Sequence, residues 1–127
     1  MNEIFHHAVV GPAIEATTTV SSPIVGATTK FAISLRRDGK PITNAVVTLI
    51  VRDASGIIVY PLSGTGSTPV PASTNTPGLH LIVPNTVAIF TQEGYMYTVY
   101  WNVTVPAFGE YPVSILPVVQ RYVCEGP

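Results

Sequence analysis

The amino-acid sequence predicts an all-β domain, a β-sandwich of about seven or eight short strands. Wherever the apolar residues show a period, that period is two, the spacing of a strand with one buried face, and not 3.6. Turn-forming residues interrupt the chain at intervals of roughly 8 to 12 residues, which is typical of sandwiches. The 12 prolines and 10 glycines among 127 residues disfavour helices. A chain of this length fits one domain built around one core.

The chain carries little charge, which limits the functions that it can have. Only 10% of its residues are charged and 46% are hydrophobic, whereas roughly 25% are charged in an ordinary soluble domain. Its 6 basic and 7 acidic residues give a net charge of -1, so no positive field attracts nucleic acid. The most apolar stretch, residues 45–51, is far shorter than the about 20 residues of a spanning helix, and we expect no membrane insertion. These features favour a structural or binding protein.

The first residues are predicted to form an N-terminal arm, residues 1–12, ahead of the domain proper at residues 13–127. Gly11 and Pro12 separate the apolar arm from a Thr-rich first strand at residues 13–20. We expect the arm to project from the domain, where it could add a strand to the open sheet edge of a neighbour. Glu3 stands where a signal peptide would carry positive charge, so the chain is expected to be made in the cytosol and not secreted.

After this first strand, the first half of the domain is predicted to hold three more strands separated by turns. In residues 30–36 the apolar side chains alternate with Lys, Ser and Arg, as in a half-buried strand. Asp38 and Gly39 begin a turn, because glycine adopts positive φ at no cost. The remaining elements, in order, are that turn at residues 38–41, a strand at 44–52, a turn at 53–56 and a strand at 57–62 that completes a hairpin.

The second half combines one long loop with the strongest strand pattern. Nearly every residue from 63 to 78 is Ser, Thr, Gly, Pro, Ala or Asn, which predicts a long Pro/Ser/Thr-rich loop. A strand follows at residues 79–83. At residues 95–105 β-branched and aromatic residues alternate throughout, and Tyr97 and Trp101 are assigned to the core. The last strand, residues 111–123, contains two prolines and is therefore expected at a sheet edge or a bend.

No constellation of catalytic or metal-binding residues is visible in the sequence. His6 and His7 are adjacent, so on an extended segment they point to opposite faces and cannot both serve one metal site. His80 is expected to face solvent or to be hydrogen-bonded. Cys124, the only cysteine, is expected to be a free thiol. The acidic residues have no spacing that forces two carboxylates together. We therefore expect no catalytic site, no cofactor and no metal.

Two neighbouring segments resemble the repeated phrase of immunoglobulin-like sandwiches. Residues 38–42 read DGKPI, residues 44–53 read NAVVTLIVRD, and Gly56 follows in the next turn. The combination is similar to immunoglobulin-like domains of tailed-bacteriophage virion proteins, including the N-terminal domain of baseplate upper proteins and neck or capsid-decoration modules. Adhesin and invasin-type domains carry the same phrase. The chain differs from antibody domains because it lacks their paired cysteines.

The resemblance implies a non-enzymatic structural subunit of a tailed-phage virion, in the neck, the tail or baseplate, or the capsid decoration. Its partners would be other virion proteins or copies of itself. The low charge and the apolar arm favour the same role, because such surfaces are often buried in assemblies. The arm and the long loop are the predicted contact elements. Their candidate partner-binding residues are Ile4, Phe5, Val9, Val10, Val70 and Pro71.

Two other classes of function stay open at this point. A carbohydrate-binding or adhesin-type surface module would stack a host glycan on an exposed ring, and Tyr100 is the candidate because it alternates with Tyr97 and Trp101. An enzyme would need a site assembled from distant loops, in which His80 is the residue to test.

Overall fold

The computed structural model describes residues 3–11, 13–21, 25–26, 28–61, 64–84 and 89–126. Within these ranges every regular element is a β-strand and no helix occurs, as the period of two predicted. The ten strands are β1 (Glu3–Gly11), β2 (Ile14–Ser21), β3 (Phe31–Arg37), β4 (Lys40–Pro41), β5 (Val46–Arg52), β6 (Ile58–Tyr60), β7 (Thr68–Pro69), β8 (Leu79–Ile82), β9 (Met96–Val105) and β10 (Ser114–Val123).

These strands form two antiparallel sheets, which confirms the predicted all-β, sandwich-like arrangement. In the first sheet the order is β1, β2, β3 and β8, and β4 also pairs with β3. In the second sheet the order is β10, β9, β5 and β6, and β7 also pairs with β5. The count exceeds the expected seven or eight because the arm is itself a strand. In addition, β4 and β7 have only two residues each, too few to show a period.

The core lies between the sheets and is built from the inward side of each long strand. On β9 every second residue from Tyr97 to Val105 is buried, and Trp101 at the centre is fully so, which confirms the predicted core positions. Trp101 pairs with Leu49 of β5 and with Val118 of β10. Each large apolar side chain buried in this way contributes about 1.5–3 kcal/mol. The first sheet contributes Ile14, Ala16, Val20, Phe31, Ile33 and Leu35 to the same core.

The N-terminal arm does not project from the sandwich, contrary to the expectation from sequence. Residues Glu3–Gly11 pair with β2 in antiparallel register, from Glu3 opposite Ser21 to Gly11 opposite Ile14. Pairing satisfies backbone groups that β2 would otherwise leave at an open edge. The arm is therefore the outermost strand of the first sheet; residues 1, 2 and 12 of the predicted arm lie outside the described residues.

The predicted long loop is irregular over most of its length but is attached to both sheets. Its Thr68–Pro69 segment pairs with β5, and Ala72 forms a single bridge to His80 of β8. Between these contacts Val70 is buried, and its N–H donates to the carbonyl oxygen of Val47 at 2.9 Å. Ser63 lies outside the described residues. The loop is thus part of the wall of the core rather than a free element.

Gly78 ends this loop where two backbones approach closely. Its φ is +82°, and a Cβ at this position would lie 2.8 Å from the carbonyl oxygen of Leu35 and 2.9 Å from Cβ of Pro41. The carbonyl of Gly78 accepts from the N–H of Leu35 at 2.9 Å. Only glycine satisfies both the left-handed backbone and the lack of space.

The last strand occupies an edge, as its prolines predicted. β10 pairs only with β9, along ten residues from Ser114 opposite Val105 to Val123 opposite Met96. Pro117 cannot donate to a ladder, and at an edge its missing N–H costs nothing.

The hydroxyl of Tyr97 holds the segment that enters β9. Its oxygen accepts the backbone N–H groups of Thr91 and Gln92, each at 3.1 Å. The ring itself is buried and packs edge-on against Phe90, with ring centroids 5.0 Å apart. The ring of Tyr97 thereby packs in the core while its hydroxyl holds the backbone five to six residues upstream.

We expect Tyr97→Phe to lower the free energy of unfolding by about 1–2 kcal/mol, because two backbone donors lose their acceptor while the ring remains. Equilibrium urea unfolding measures this change. Tyr95→Phe is the matched control, because that ring is exposed and its change should stay within about 0.5 kcal/mol. Equal losses in the two variants would contradict the role assigned to the Tyr97 hydroxyl.

A second prediction concerns the centre of the core. Trp101→Ala should cost about 3–5 kcal/mol, because the residue is fully buried and its removal leaves a large cavity. Tyr100→Ala, one position along the strand on the opposite side of the sheet, should cost only about 1 kcal/mol. Thermal and urea unfolding of both variants checks the alternation directly, and a larger loss for Tyr100→Ala would contradict it.

Candidate functional site

The residues able to carry acid–base or metal chemistry are dispersed. Nε2 of His7 lies 3.2 Å from Oε2 of Glu15, whereas His6 points to the other side of β1 and packs edge-on against Tyr122 at 5.6 Å. The adjacent histidines therefore diverge, as alternation predicted. Among the described residues no group of three or more His, Cys, Asp or Glu side chains could hold a metal ion.

His80 and Cys124 are both buried. Nδ1 of His80 donates to the carbonyl oxygen of Val70 at 3.2 Å, so the expectation of a hydrogen-bonded histidine is confirmed and that of a solvent-facing one is wrong. The thiol of Cys124 is free, as predicted. Burial raises the pKa of this thiol, which disfavours the nucleophilic thiolate.

The predicted partner-binding residues do not form one surface. Phe5 and Val9 face outward from β1 and are exposed, whereas Ile4 and Val10 turn inward and are half-buried against the core. Val70 is a core residue, which corrects its assignment to a contact surface.

Pro71 is exposed, but it lies beside β8. Two strands, β2 and β3, separate β8 from β1 in the first sheet. The arm and the loop are therefore at opposite edges of that sheet.

The outward side of the second sheet carries many apolar residues beside the polar Thr48, Thr98, Asn102 and Thr104. We call this surface the outer face and define it by the outward residues of β5, β9 and β10. Ile115 and Val46 are 68% and 61% exposed, and both pair with Thr104 of β9 between them. The other apolar members of the outer face are Ile50, Met96, Tyr100, Pro117, Val119 and Val123.

The outer face has a centre and a charged row. Tyr100 is half-buried between Val119 on β10 and Ile50 on β5, so it stands as one ring and not in a row of rings. One row further along, Arg52 and Arg121 flank Thr98. These two arginines are the charged residues of the outer face, and no carboxylate shares it. A partner that covers this face would meet an apolar centre and two positive charges at one side.

A cleft of about 330 Å³ opens at one end of the sandwich, between the turn that joins β3 to β4 and the segment that follows β9. Its walls are mainly apolar and include Ile42, Val105 and Phe108, and Arg37 is its buried cation. The alternation that buries Phe31, Ile33 and Leu35 also points Arg37 inward. Because Arg37 continues this alternation, its inward direction could have been predicted from the sequence.

The two sheets are joined at one side by a small polar cluster. Oε1 of Gln120 accepts the hydroxyl of Thr18 at 2.6 Å and the hydroxyl of Tyr122 at 2.8 Å. Thr18 lies on β2 and the other two on β10, so the cluster bridges the first and second sheets. Burial raises the pKa of Tyr122 to about 12, although its hydrogen bonding with Thr18 opposes the shift.

Comparison with known proteins identifies no relative. No protein-family model matches the chain, and no curated protein matches it. Within the described residues, no helix has the length and apolar character needed to cross a membrane.

The pKa of Tyr122 predicts alkaline destabilisation. The folded chain holds this proton more tightly than the unfolded chain, whose tyrosine has the ordinary pKa of 10.0. Stability from this group is therefore present below pH 10 and is lost as the pH rises toward 12. Urea unfolding across this range should show the fall, and Tyr122→Phe should reduce its slope. An unchanged slope in the variant would contradict the assignment.

Proposed function

We propose that this chain is an immunoglobulin-like, non-enzymatic structural subunit that assembles with copies of itself in a larger particle, of the kind found in tailed-phage virions. It would be made in the host cytoplasm and incorporated there into the particle. The outer face is the proposed contact surface.

The strand order supports an immunoglobulin-like assignment. Constant-type immunoglobulin domains place strands A, B, E and D in one sheet and C, F and G in the other. Here β2, β3 and β8 are neighbours in one sheet, and β5, β9 and β10 in the other, which is the order of A, B, E and of C, F, G. The D position has only the bridge between Ala72 and His80, and β1 adds a strand outside A.

The hydroxyl of Tyr97 supports the same assignment. Many immunoglobulin-like domains have a tyrosine near the start of strand F whose hydroxyl bonds to the backbone a few residues upstream. Tyr97 is the second residue of β9 and accepts from the backbone of Thr91 and Gln92. The paired cysteines of antibody domains are missing, and the burial of Trp101 and its neighbours stabilises the sandwich in their place.

The apolar outer face is the observation that carries the proposed function. A sheet with one solvated side normally alternates apolar and polar residues, but β10 has Ile115, Val119 and Val123 exposed on its outward side. Val46 on β5 and Met96 on β9 are exposed on the same side of this sheet, and exposed apolar residues gathered on one face mark interaction surfaces in soluble proteins. In an isologous contact the same face of two copies would meet, so each copy would bury the exposed apolar residues of the other.

The proposal is tested by the mass of the chain in solution, measured by light scattering after size exclusion. The wild-type chain should form a defined oligomer. Val119→Lys, which places a charge at the centre of the outer face, should return the chain to a 13.5 kDa monomer with its sandwich folded. Ile57→Lys is the matched control, because Ile57 is also an exposed aliphatic residue, 63% against 42% for Val119, but lies in the turn between β5 and β6.

A monomeric wild-type chain would contradict self-assembly through the outer face. It would favour the alternative of a carbohydrate-binding or adhesin-type module, for which Tyr100 is the outward ring. Glycan-array binding that Tyr100→Ala abolishes would then support that alternative.

A further inference from the structure

Arg37 is a buried cation that has no anionic partner within the described part of the chain. It is 7% exposed, and arginine is rarely buried to this degree unless it is paired. Its Nε and Nη2 atoms have no hydrogen-bond acceptor among the described residues. A buried donor without an acceptor loses its hydration and gains nothing in return.

Two aromatic rings cover the guanidinium group. Its central carbon lies 4.5 Å from the ring centroid of Tyr111 and 5.9 Å from that of Phe108. These cation–π contacts stabilise the positive charge. Within the described part of the chain, they supply no nitrogen or oxygen acceptor to the N–H bonds of Nε and Nη2.

The unpartnered atoms form one edge of the guanidinium. Nε–H and one N–H of Nη2 point in the same direction, and their separation matches the two oxygens of a carboxylate. Such a pair forms two parallel, charge-assisted hydrogen bonds, which are about twice as strong as neutral ones. The unused edge of Arg37 is therefore shaped for a carboxylate.

The cleft described above leads to this group. Its walls include the apolar Pro41, Ile42, Val105 and Phe108, and Thr43 and Asn44 provide polar atoms near its rim. Ligand pockets commonly combine apolar walls with a few placed polar groups at volumes from about 300 Å³. The cleft has room for a short aliphatic chain that ends in an acid.

We propose that this cleft binds a carboxylate group at the Nε–Nη2 edge of Arg37. Asp38 also lines the cleft, but no ion pair joins it to Arg37. The carboxylate comes from outside the described part of the chain, either from a free aliphatic acid or from an acidic residue of a neighbouring subunit. The site lies at one end of the sandwich and is lined by none of the residues that define the outer face, so it goes beyond the proposed function and does not rest on it.

The ligand enters past a small aromatic cover. Phe108 is 68% exposed, and it is joined to Tyr111 by two backbone hydrogen bonds of 2.9 and 2.8 Å. Only Gly109 and Glu110 lie between them. The Nε and Nη2 atoms are closed from solvent in this structure, so binding requires a local movement that opens this edge to the cleft.

Titration with butyrate, followed by NMR of the arginine Nε–H resonances, tests the site. The Arg37 resonance should shift and saturate. Butyramide, a neutral molecule of the same shape, should bind at least about tenfold more weakly, because charged hydrogen bonds contribute about 1.5–3 kcal/mol. The Arg36 resonance is the internal control, since Arg36 is exposed and its Nη1 donates to the carbonyl of Gly39 at 3.1 Å. An Arg37 resonance that butyrate does not move would overturn the proposal.

Two variants distinguish the sources of the carboxylate. If Arg37→Met removes the protection that butyrate gives against thermal unfolding and leaves the solution mass unchanged, the ligand is a free acid. If Arg37→Met also lowers the solution mass while Arg36→Met does not, the carboxylate belongs to a neighbouring subunit. Should Arg37→Met not fold, the wild-type titration still decides. Val119→Lys should leave the butyrate shift intact, so failure of the outer-face contact and failure of this site are separable.

Discussion

The structure depends on the burial of one side of β9 against the first sheet. Five alternate residues of this strand, centred on Trp101, are buried together, and β5 and β10 align with them residue for residue. The chain has no disulfide, because Cys124 is alone, so this contact must offset most of the chain entropy lost on folding. The other elements are arranged around it. The Tyr97 hydroxyl holds the segment before β9, Val70 packs against the core from the long loop, and β1 adds an edge strand to the opposing sheet.

The same three strands have a second apolar side, which the core does not need. Alternation buries one side of β9, and ordinary sheets place polar residues on the other. Here β10 and β5 place Ile115, Val119 and Val46 there instead, and the scarcity of charged residues leaves only Arg52 and Arg121 beside them. Exposed apolar area of this kind is unfavourable in an isolated domain and favourable in an assembly. The low charge of the chain and its proposed function are therefore linked by the same feature, an exposed apolar face that a neighbouring subunit would bury.

Three buried polar side chains of the sandwich have nitrogen atoms without a hydrogen-bond partner in the described part of the chain. Among the described residues, the ring of His80 has a partner at Nδ1 but none at Nε2, and Nε1 of Trp101 has no acceptor. Each such unpaired ring nitrogen costs about 1–3 kcal/mol. Arg37 differs because it carries a full charge, and because it lies at a cleft instead of in the closed core. We therefore interpret the unpaired nitrogens of His80 and Trp101 as imperfections of packing, and Arg37 as a candidate binding group.

The sequence alone determined the class of the fold and the inward and outward sides of its long strands. Successive side chains of a strand point to opposite faces, so alternating apolar residues show directly which face is buried. It located Tyr97 and Trp101 in the core, the edge position of β10 and the unpaired thiol of Cys124. Tertiary structure decided the rest. Residues 3–11 became an edge strand because β2 offered an open edge, and Val70 became a core residue because a distant strand, β5, accepts its backbone. The outer face and the environment of Arg37 join segments far apart in the chain, β5 with β10 and β3 with residues 108–111. Sequence spacing does not encode such contacts, since they exist only once the two sheets have packed.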